Sequence, residues 1–256
     1  MTSHPTNIAL VTGAATRIGA AIARRLAAEG HAVVIHHRSK LTEAEALAAE
    51  IRASGGRAAT VQSDLADRPQ RARTIADAAA HFGPLTLLVN NASSFERDSA
   101  RDLDEALWDQ HFAIHAEAPA FLARDFAAQL PPGAKGNIVN LIDARVLDLT
   151  PAFFSYTLSK SVLWTMTRTL AQSLAPDIRV NAIAPGPAVP PPDVTPEAHA
   201  ARNAELPLGA AADAEGIAEG VIAILGLPAM TGQMLTLDGG EHLEWPARRA
   251  PTPRRR

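Results

Sequence analysis

The stretch Val11–Ala23, VTGAATRIGAAIA, links a short apolar strand to an Ala-rich helix and decides the fold prediction. Gly13 permits a tight turn directly after the strand, and Gly19 allows the helix to pack closely against a sheet. The N–H groups at the start of such a helix favour a phosphate group. Ordinary turns also contain this glycine spacing, so the motif indicates a phosphate site mainly because it directly follows the first strand. Arg17 replaces the middle glycine of such a loop, either as a charge-assisted phosphate contact or as a solvated arginine.

Beyond this loop, short β-branched runs alternate with stretches of helical period. The predicted strands are Ile8–Val11, Ala32–His36, Ala59–Gln62, Leu85–Asn90, Asn137–Ile142, Arg179–Ile183 and Met234–Leu237. The predicted helices are Ile18–Glu29, Leu41–Ala53, Arg71–His81, Leu103–Gln129, Phe154–Leu174 and Ala214–Leu225. Apolar strands separated by crossover helices imply a parallel sheet that is covered on both faces. The sequence therefore predicts an α/β fold, a single-domain Rossmann-like doubly wound parallel sheet of about seven strands with helices on both faces.

Composition excludes several classes of protein. Apolar residues make up 47% of the 256 positions, enough for a sizeable core, and the net charge of −3 gives no electrostatic footprint for nucleic acid. The chain has no cysteine, so disulfides and thiolate metal sites are ruled out, and no metal site is predicted. No signal peptide and no run of about 18 apolar residues occurs, so no membrane association is expected. The simplest prediction is a cytoplasmic protein.

A basic loop follows the second predicted strand and indicates which nicotinamide cofactor the protein prefers. NAD-preferring folds commonly place an acid there to bind the ribose 2′-hydroxyl. This chain has no carboxylate before Glu43 and instead offers His36, His37, Arg38, Ser39 and Lys40. Such a loop suits an anionic 2′-phosphate, so NADPH is predicted over NADH, the alternative being a basic surface loop. Asp64, after the third strand, could accept from an adenine amino group or cap a helix.

The same features set the predicted domain organisation. Because no composition break marks a second domain, residues 1–247 are predicted to form one NADP-binding Rossmann-type domain. Residues 248–256 are predicted to be a disordered basic tail, either a solvated end or an anion-binding arm. The Pro-rich segment 184–200, APGPAVPPPDVTPEAHA, is expected to be irregular and to act as a lid near the ligand crevice rather than as a linker.

The stretch FSYTLSK, residues 154–160, contains the only tyrosine of the chain, Tyr156, and one of its three lysines, Lys160. Positions four apart share a helix face, so the two side chains point the same way. A nearby ammonium favours the ionised phenol, and the pKa of Tyr156 is therefore expected to fall from its reference value near 10. This shift would suit a proton donor or acceptor close to neutral pH.

With LLVNNAS (87–93) and RVNAIAPG (179–186), these motifs resemble the short-chain dehydrogenase/reductase family from Ile8 to Leu243. The resemblance implies that Tyr156 is the catalytic acid and that Lys160 binds the nicotinamide ribose and lowers the tyrosine pKa. It implies a homo-oligomer, a tetramer or dimer, often built through the fourth and fifth helices. Cofactor contacts are implied for Gly13, Arg17, Ile18, Gly19, Asp64, Leu65, Asn91, Ala92, Ser93, Lys160, Pro185 and Gly186.

Two departures from the family pattern indicate a branch. The usual serine thirteen residues before the tyrosine is Asp143, and the helix asparagine is replaced by His115. The arginine in the phosphate loop, HHRS and NNASSF resemble the pteridine reductases. IHAEAP and LDGGEHL resemble the bacterial dihydromonapterin reductases of that group. In this branch Phe95 stacks on a pterin held against the nicotinamide, Ser93 contacts cofactor and ligand, and Arg17 binds phosphate and ligand polar atoms.

The residues themselves leave several roles open. Phe95 lies in a polar loop at the carboxyl end of a strand, where stacking on a flat heterocycle is favourable, but a phenylalanine of a satellite core is the alternative. Asp143 could orient Tyr156, relay protons, accept from the N–H donors of an aminopyrimidine, or only hold a turn. His115 could join a proton relay or be a satisfied core histidine.

Together these inferences predict an NADPH-dependent reductase of a dihydropterin, dihydromonapterin and also dihydrofolate, with Tyr156, Lys160 and Asp143 as catalytic residues. One rival is a carbonyl reductase of the same family, acting on a 3-oxoacyl thioester or a sugar ketone. Asp143 disfavours it, because an ionised carboxylate cannot donate a hydrogen bond to a carbonyl. The second rival is a non-catalytic NADPH sensor, which would not need the Tyr156–Lys160 pair.

Overall fold

The computed structural model describes residues 7–190 and 194–243. The predicted basic tail, residues 248–256, lies outside the described residues, as do 1–6 and 244–247 of the predicted domain. Within the described ranges, no helix is long and apolar enough to cross a membrane.

One seven-stranded sheet forms the centre of the molecule, and all its strand pairs are parallel. The predicted doubly wound fold is confirmed. The strand order β3-β2-β1-β4-β5-β6-β7 reverses between β1 and β4, so the ligand crevice is expected beyond the carboxyl ends of those two strands. The strands are β1 Ile8–Val11, β2 Ala32–His37, β3 Arg57–Gln62, β4 Leu87–Asn90, β5 Gly136–Leu141, β6 Ile178–Pro185 and β7 Met234–Leu237.

Helices cover both faces of the sheet. Ile22 of α1, Leu47 of α2 and Val221 of α8 belong to the core on one face. Ile75 of α3 and Phe126 of α5 belong to the core on the other face. The helices are α1 Arg17–Ala28, α2 Leu41–Ala53, α3 Arg68–Phe82, α4 Glu105–Phe112, α5 Ala118–Gln129, α6 Phe154–Ser173, α7 Pro196–Ala204 and α8 Ala214–Leu225. Burial of each large apolar side chain contributes about 1.5–3 kcal/mol to the folding stability. The sheet is therefore a rigid platform for the loops.

The structure corrects two predictions of helix extent. The single helix predicted over Leu103–Gln129 is divided by a π-helical turn, Ala113–Glu117, between α4 and α5. The Pro-rich segment 184–200, expected to be irregular, ends in the first part of α7. Pro196 occupies the first turn of α7, where a missing N–H costs nothing, and Thr195 caps that turn by accepting from the Ala198 N–H.

Candidate active site

The phosphate loop needs glycine at both predicted positions. Gly13 has φ +61°, and a Cβ added to it would lie 2.9 Å from Cα of Ala92. A Cβ on Gly19 would lie 2.6 Å from the Gly13 carbonyl oxygen and 2.6 Å from Nδ2 of Asn91. Any side chain at Gly19 would therefore push α1 away from the segment that follows β4.

Arg17 opens α1 in a left-handed conformation, with φ +57°. Non-glycine residues adopt this region at a cost, and such strain clusters at functional sites. The guanidinium donates a 3.3 Å hydrogen bond to the Val189 carbonyl oxygen, in the segment after β6. Arg17 therefore connects the phosphate loop to the start of the predicted lid. Ile18, next to it, packs against the core on the α1 face.

A hydrogen-bond cluster fastens the end of β4 to the phosphate loop. Nδ2 of Asn91 donates to the carbonyl oxygens of Thr12 and Gly13, at 2.8 and 3.1 Å. Oγ1 of Thr12 accepts from the backbone N–H groups of Asn91 and Ala92, at 2.9 and 3.0 Å. Ser93, the next residue, therefore stands at the crevice beside the phosphate loop.

His36 does not supply the positive charge expected of the basic loop. Its Nδ1 accepts from the Gly13 N–H at 3.0 Å, so the proton is on Nε2, which donates to the Ser63 carbonyl oxygen at 3.0 Å. Burial lowers the pKa of His36 to about 4, so the ring is neutral at physiological pH. His37 is also buried, and burial lowers its pKa as well. Both rings lie inside the protein, so the positive charge of this loop comes from its other residues.

The remaining basic-loop side chains are exposed at the same edge of the sheet. Arg38, Ser39 and Lys40 face solvent, and Nζ of Lys40 donates to Oγ1 of Thr16 at 3.1 Å. Lys40 therefore brings a cation directly to the phosphate loop, which fits an anionic 2′-phosphate.

Asp64 and Leu65 lie beyond the carboxyl end of β3. Oδ1 of Asp64 accepts from the Ala66 N–H at 2.9 Å, which forms a tight turn, and Leu65 is buried. Asp67, not Asp64, caps α3, since its carboxylate accepts from the Gln70 N–H at 2.8 Å. The helix-cap alternative for Asp64 is therefore wrong.

Tyr156 and Asp143 form a hydrogen-bonded pair at the centre of the site. The Tyr156 hydroxyl donates to Oδ2 of Asp143 at 2.8 Å, and only 4% of the tyrosine is exposed. Oδ1 of Asp143 accepts from the Arg145 N–H at 2.9 Å, in the short 3₁₀ turn Ala144–Val146. The turn fixes the carboxylate, and the carboxylate orients the phenol.

The predicted direction of the Tyr156 pKa shift is wrong in this structure. Burial, followed by the charge of Asp143 and the hydrogen bond to it, raises the pKa of Tyr156 well above its ordinary value. Nζ of Lys160 donates to the Leu141 carbonyl oxygen at 2.8 Å and makes no hydrogen bond to the Tyr156 hydroxyl, and its charge is not among the causes of the Tyr156 shift. Burial lowers the pKa of Lys160 to about 8. The phenol consequently keeps its proton and is a donor.

His115 lies in the π-helical turn and has partners on both ring nitrogens. Nε2 accepts from the Ser94 N–H at 3.2 Å, so Nδ1 carries the proton and donates to Oγ of Ser159 at 2.9 Å. Ser159 in turn donates to the Tyr156 carbonyl oxygen at 2.7 Å. Oγ of Ser93 also lies 3.0 Å from Nε2. Burial lowers the pKa of His115 well below its ordinary value, so this neutral ring ties the Ser93 loop to α6.

Phe95 borders Tyr156 and is 39% exposed, so the satellite-core alternative is wrong. Its ring meets Tyr156 edge to face at a centroid distance of 4.9 Å. It stacks on Phe153 at 4.5 Å with an interplanar angle of 13°. Phe153 has φ +59° and directly precedes α6, so a strained residue again marks the site.

Asp98 caps α6, a role that the sequence pattern alone does not indicate. Phe153, the residue before α6, has no side-chain oxygen, and the buried Asp98 carboxylate takes its place by accepting from the Ser155 N–H at 3.1 Å. The Asp98 carbonyl oxygen also accepts from the Phe153 N–H at 2.9 Å. The Ser155 hydroxyl donates to Asp98 and accepts from Nδ1 of His111 at 2.7 Å. The only sequence signal is the absence of a capping residue before Phe154.

Pro185 and Gly186 end β6 at the same edge of the sheet. A Cβ on Gly186 would lie 2.7 Å from Cα of Asp238, so the two chain segments are in close contact. The buried Asp238 carboxylate accepts from the Gly240 N–H at 2.9 Å and from Nδ1 of His242 at 2.6 Å. The motif LDGGEHL therefore closes this side of the crevice.

A phosphate loop and a buried proton donor at one edge of a doubly wound sheet define a dinucleotide-dependent oxidoreductase. The profile of the short chain dehydrogenase family matches residues 7–199, and the chain belongs to this family.

Three similar proteins indicate which branch of the family this chain resembles. Pteridine reductase 1 of Leishmania tarentolae is 32% identical, over 95% of this chain and 99% of the relative. The structure of FolM alternative dihydrofolate reductase 1 from Brucella suis, in complex with NADP, has a TM-score of 0.90 and 48% identity, covering 93% of this chain and 96% of that one. The Brucella canis counterpart, also complexed with NADP, has a TM-score of 0.90 and 47% identity, covering 97% and 96%. The predicted resemblance to the pteridine reductases is confirmed.

Proposed function

We propose that this protein catalyses the NADPH-dependent reduction of a dihydropterin to its tetrahydro form, with dihydromonapterin as substrate and dihydrofolate as a second substrate. The observation that carries the proposal is the position of Phe95. An exposed aromatic ring lies 4.9 Å from the Tyr156 ring, whose hydroxyl is bonded to a carboxylate. A flat heterocycle stacked on Phe95 would therefore meet a proton donor and an acceptor for its amino group.

The described residues fit NADPH. Gly13 and Gly19 let the phosphate loop pack closely against Ala92 and Asn91, and backbone N–H groups at the start of α1 would face the pyrophosphate. Arg17, Arg38, Ser39 and Lys40 would bind phosphate groups, and the turn at Asp64 and Leu65 would border the adenine. Asn91, Ala92, Ser93, Lys160, Pro185 and Gly186 would line the nicotinamide end. Bound NADPH supplies the hydride, and the similar Brucella proteins are complexed with NADP.

The residues of this chain would supply the proton. Tyr156 holds its proton because of burial and Asp143, and it would release that proton toward a ring nitrogen directly or through a water. Burial also raises the pKa of Asp143, which helps that carboxylate to share the proton. Lys160, charged below its pKa of about 8, would fix the ribose.

A substrate panel tests the proposal and separates it from the carbonyl-reductase and sensor rivals. NADPH oxidation is measured with 7,8-dihydromonapterin, 7,8-dihydrofolate, a 3-oxoacyl thioester and a sugar ketone. Turnover of the pterins well above both carbonyl compounds supports the proposal. Faster turnover of a carbonyl compound, or tight NADPH binding without any turnover, contradicts it.

We also propose that the protein forms a homo-oligomer through α4, α5 and α6, which correspond to the predicted fourth and fifth helices. Trp108 and Phe112 stack on each other at 4.4 Å on this side, and Phe121 is 38% exposed. Arg71 and Arg124 flank the Phe121 ring at 5.0 and 4.9 Å, beside a cavity of about 340 Å³. A dimer or tetramer in sedimentation experiments, converted to a monomer by Phe121→Arg, supports the proposal. A monomeric wild type contradicts it.

A further inference from the structure

Arg145 lies beside both aromatic rings of the site. Its backbone N–H donates to Asp143, so its position is tied to the catalytic carboxylate. The centre of its guanidinium lies 4.6 Å from the Phe153 ring centroid and 5.7 Å from that of Phe95. Stacking of this kind holds a guanidinium in place while its N–H edge stays open to a ligand.

The guanidinium of Arg145 has no protein anion to neutralise it. Among residues 7–190 and 194–243, no carboxylate oxygen lies within 4.0 Å of it, and its side chain makes no hydrogen bond. Other arginines are paired, as Arg24 is with Glu50 at 2.7 Å and Arg71 with Glu117 at 3.0 Å. Arg145 is half-buried, so solvent screens its charge less than that of a fully exposed arginine.

The charge of Arg145 reaches the reacting groups. It lowers the pKa of Asp143 and that of Tyr156, although burial is the larger effect on both and acts in the opposite direction. An unpaired cation that acts on the catalytic pair and touches the stacking ring is positioned to contact the substrate itself.

We propose that Arg145 determines substrate specificity by binding an anionic substituent of the pterin, a carboxylate or a phosphate. The inference rests on the proposed function, because it places the heterocycle on Phe95. A ring stacked there would carry its substituent past the guanidinium, and the planar N–H fork of arginine matches both anions. Arg145 would then contribute to the binding of a pterin with an acidic tail and not to that of a pterin with a neutral polyol tail.

The experiment compares KM values for three substrates at saturating NADPH: 7,8-dihydrofolate, a phosphate ester of dihydromonapterin, and neutral dihydromonapterin. Arg145→Met should raise KM about ten- to a hundredfold for the anionic substrate that binds at this site, and less than about twofold for the neutral one. The two anionic substrates distinguish a carboxylate from a phosphate. Arg145→Lys, which keeps the charge without the fork, should give an intermediate KM.

Arg168→Met is the matched control, because Arg168 also stacks on an aromatic ring, at 5.1 Å from Trp164, twelve positions beyond Tyr156 in α6. It should leave all three KM values unchanged. Salt provides a measurement that does not depend on a folded variant, since the wild-type KM should rise with ionic strength for the anionic substrate and not for the neutral one.

Equal effects of Arg145→Met on anionic and neutral substrates, or equal salt dependence, would overturn the inference and leave the proposed function standing. A wild type that reduces no pterin would overturn the proposed function, and the inference with it.

Discussion

The Tyr156 hydroxyl donates a 2.8 Å hydrogen bond to Asp143, thirteen residues earlier in the chain, and the tyrosine is almost fully buried. In the short-chain dehydrogenase pattern, a serine usually stands at the position of Asp143. A serine hydroxyl can donate to a substrate carbonyl, whereas an ionised carboxylate only accepts. The pair therefore supports our proposal of a substrate that itself has N–H donors.

Asp143→Asn should lower kcat for dihydropterin by about 10²-fold, because the pair would lose its shared proton. Asp143 raises the pKa of both Tyr156 and Lys160, so the alkaline limb of the pH–rate profile should move to lower pH in the variant. The kcat profile is measured from pH 6 to pH 10. Asp148→Asn, a neighbouring carboxylate, is the control, and an alkaline limb that does not move would contradict this role of Asp143.

Phe95→Leu should raise KM for dihydropterin about two- to tenfold, because leucine keeps apolar contact but loses the stacking energy of the ring. The NADPH dissociation constant should remain unchanged. Phe82→Leu, at the end of α3, is the control. An unaltered pterin KM in Phe95→Leu would mean that the substrate does not lie on this ring.

Asp98→Ala should lower the free energy of unfolding by about 1–2 kcal/mol and also reduce kcat, because the first turn of α6 would lose its cap beside Tyr156. Asp104→Ala is the control, since Asp104 caps α4 by accepting from the Leu107 N–H at 2.8 Å. It should cost similar stability without lowering kcat. Asp98→Asn should recover part of the activity. Denaturant unfolding and kcat are measured together, and equal kcat losses in the two alanine variants would refute a positioning role.

Folding stability should depend on pH through His36. Its folded pKa of about 4 lies below the ordinary value of 6.5, so its contribution is complete above pH 6.5 and is lost as pH falls toward 4. The shift corresponds to at most roughly 3 kcal/mol. His36→Asn does not titrate, so its free energy of unfolding, although lower overall, should decline less between pH 7 and pH 4. Exposed His81→Asn is the control. If the free energy of unfolding of His36→Asn declined with falling pH as steeply as that of the wild type, this role of His36 would be contradicted.

Local sequence patterns were sufficient for most of the fold and part of the site. β-branched runs and helical periods depend on neighbouring residues, and the strands and most helices were predicted close to their observed bounds. Gly13 and Gly19 follow from backbone geometry, and the side of α6 shared by Tyr156 and Lys160 follows from helical spacing.

Features that depend on tertiary contacts were not predictable. Asp98 reaches α6 across 57 positions. The pKa of Tyr156 depends on burial and on the direction of Lys160 Nζ, which bonds the Leu141 carbonyl oxygen instead of approaching the phenol. Histidine is a basic residue type, but His36 is neutral because it lies inside the protein.

Product analysis tests the central claim most directly. Purified protein is mixed with NADPH and 7,8-dihydromonapterin, and tetrahydromonapterin and NADP are quantified by chromatography. We expect equal amounts of the two products from the wild type, with formation at least about a hundredfold slower in Tyr156→Phe despite unchanged NADPH binding. Absence of the tetrahydropterin, or equal rates in the two proteins, would contradict the claim.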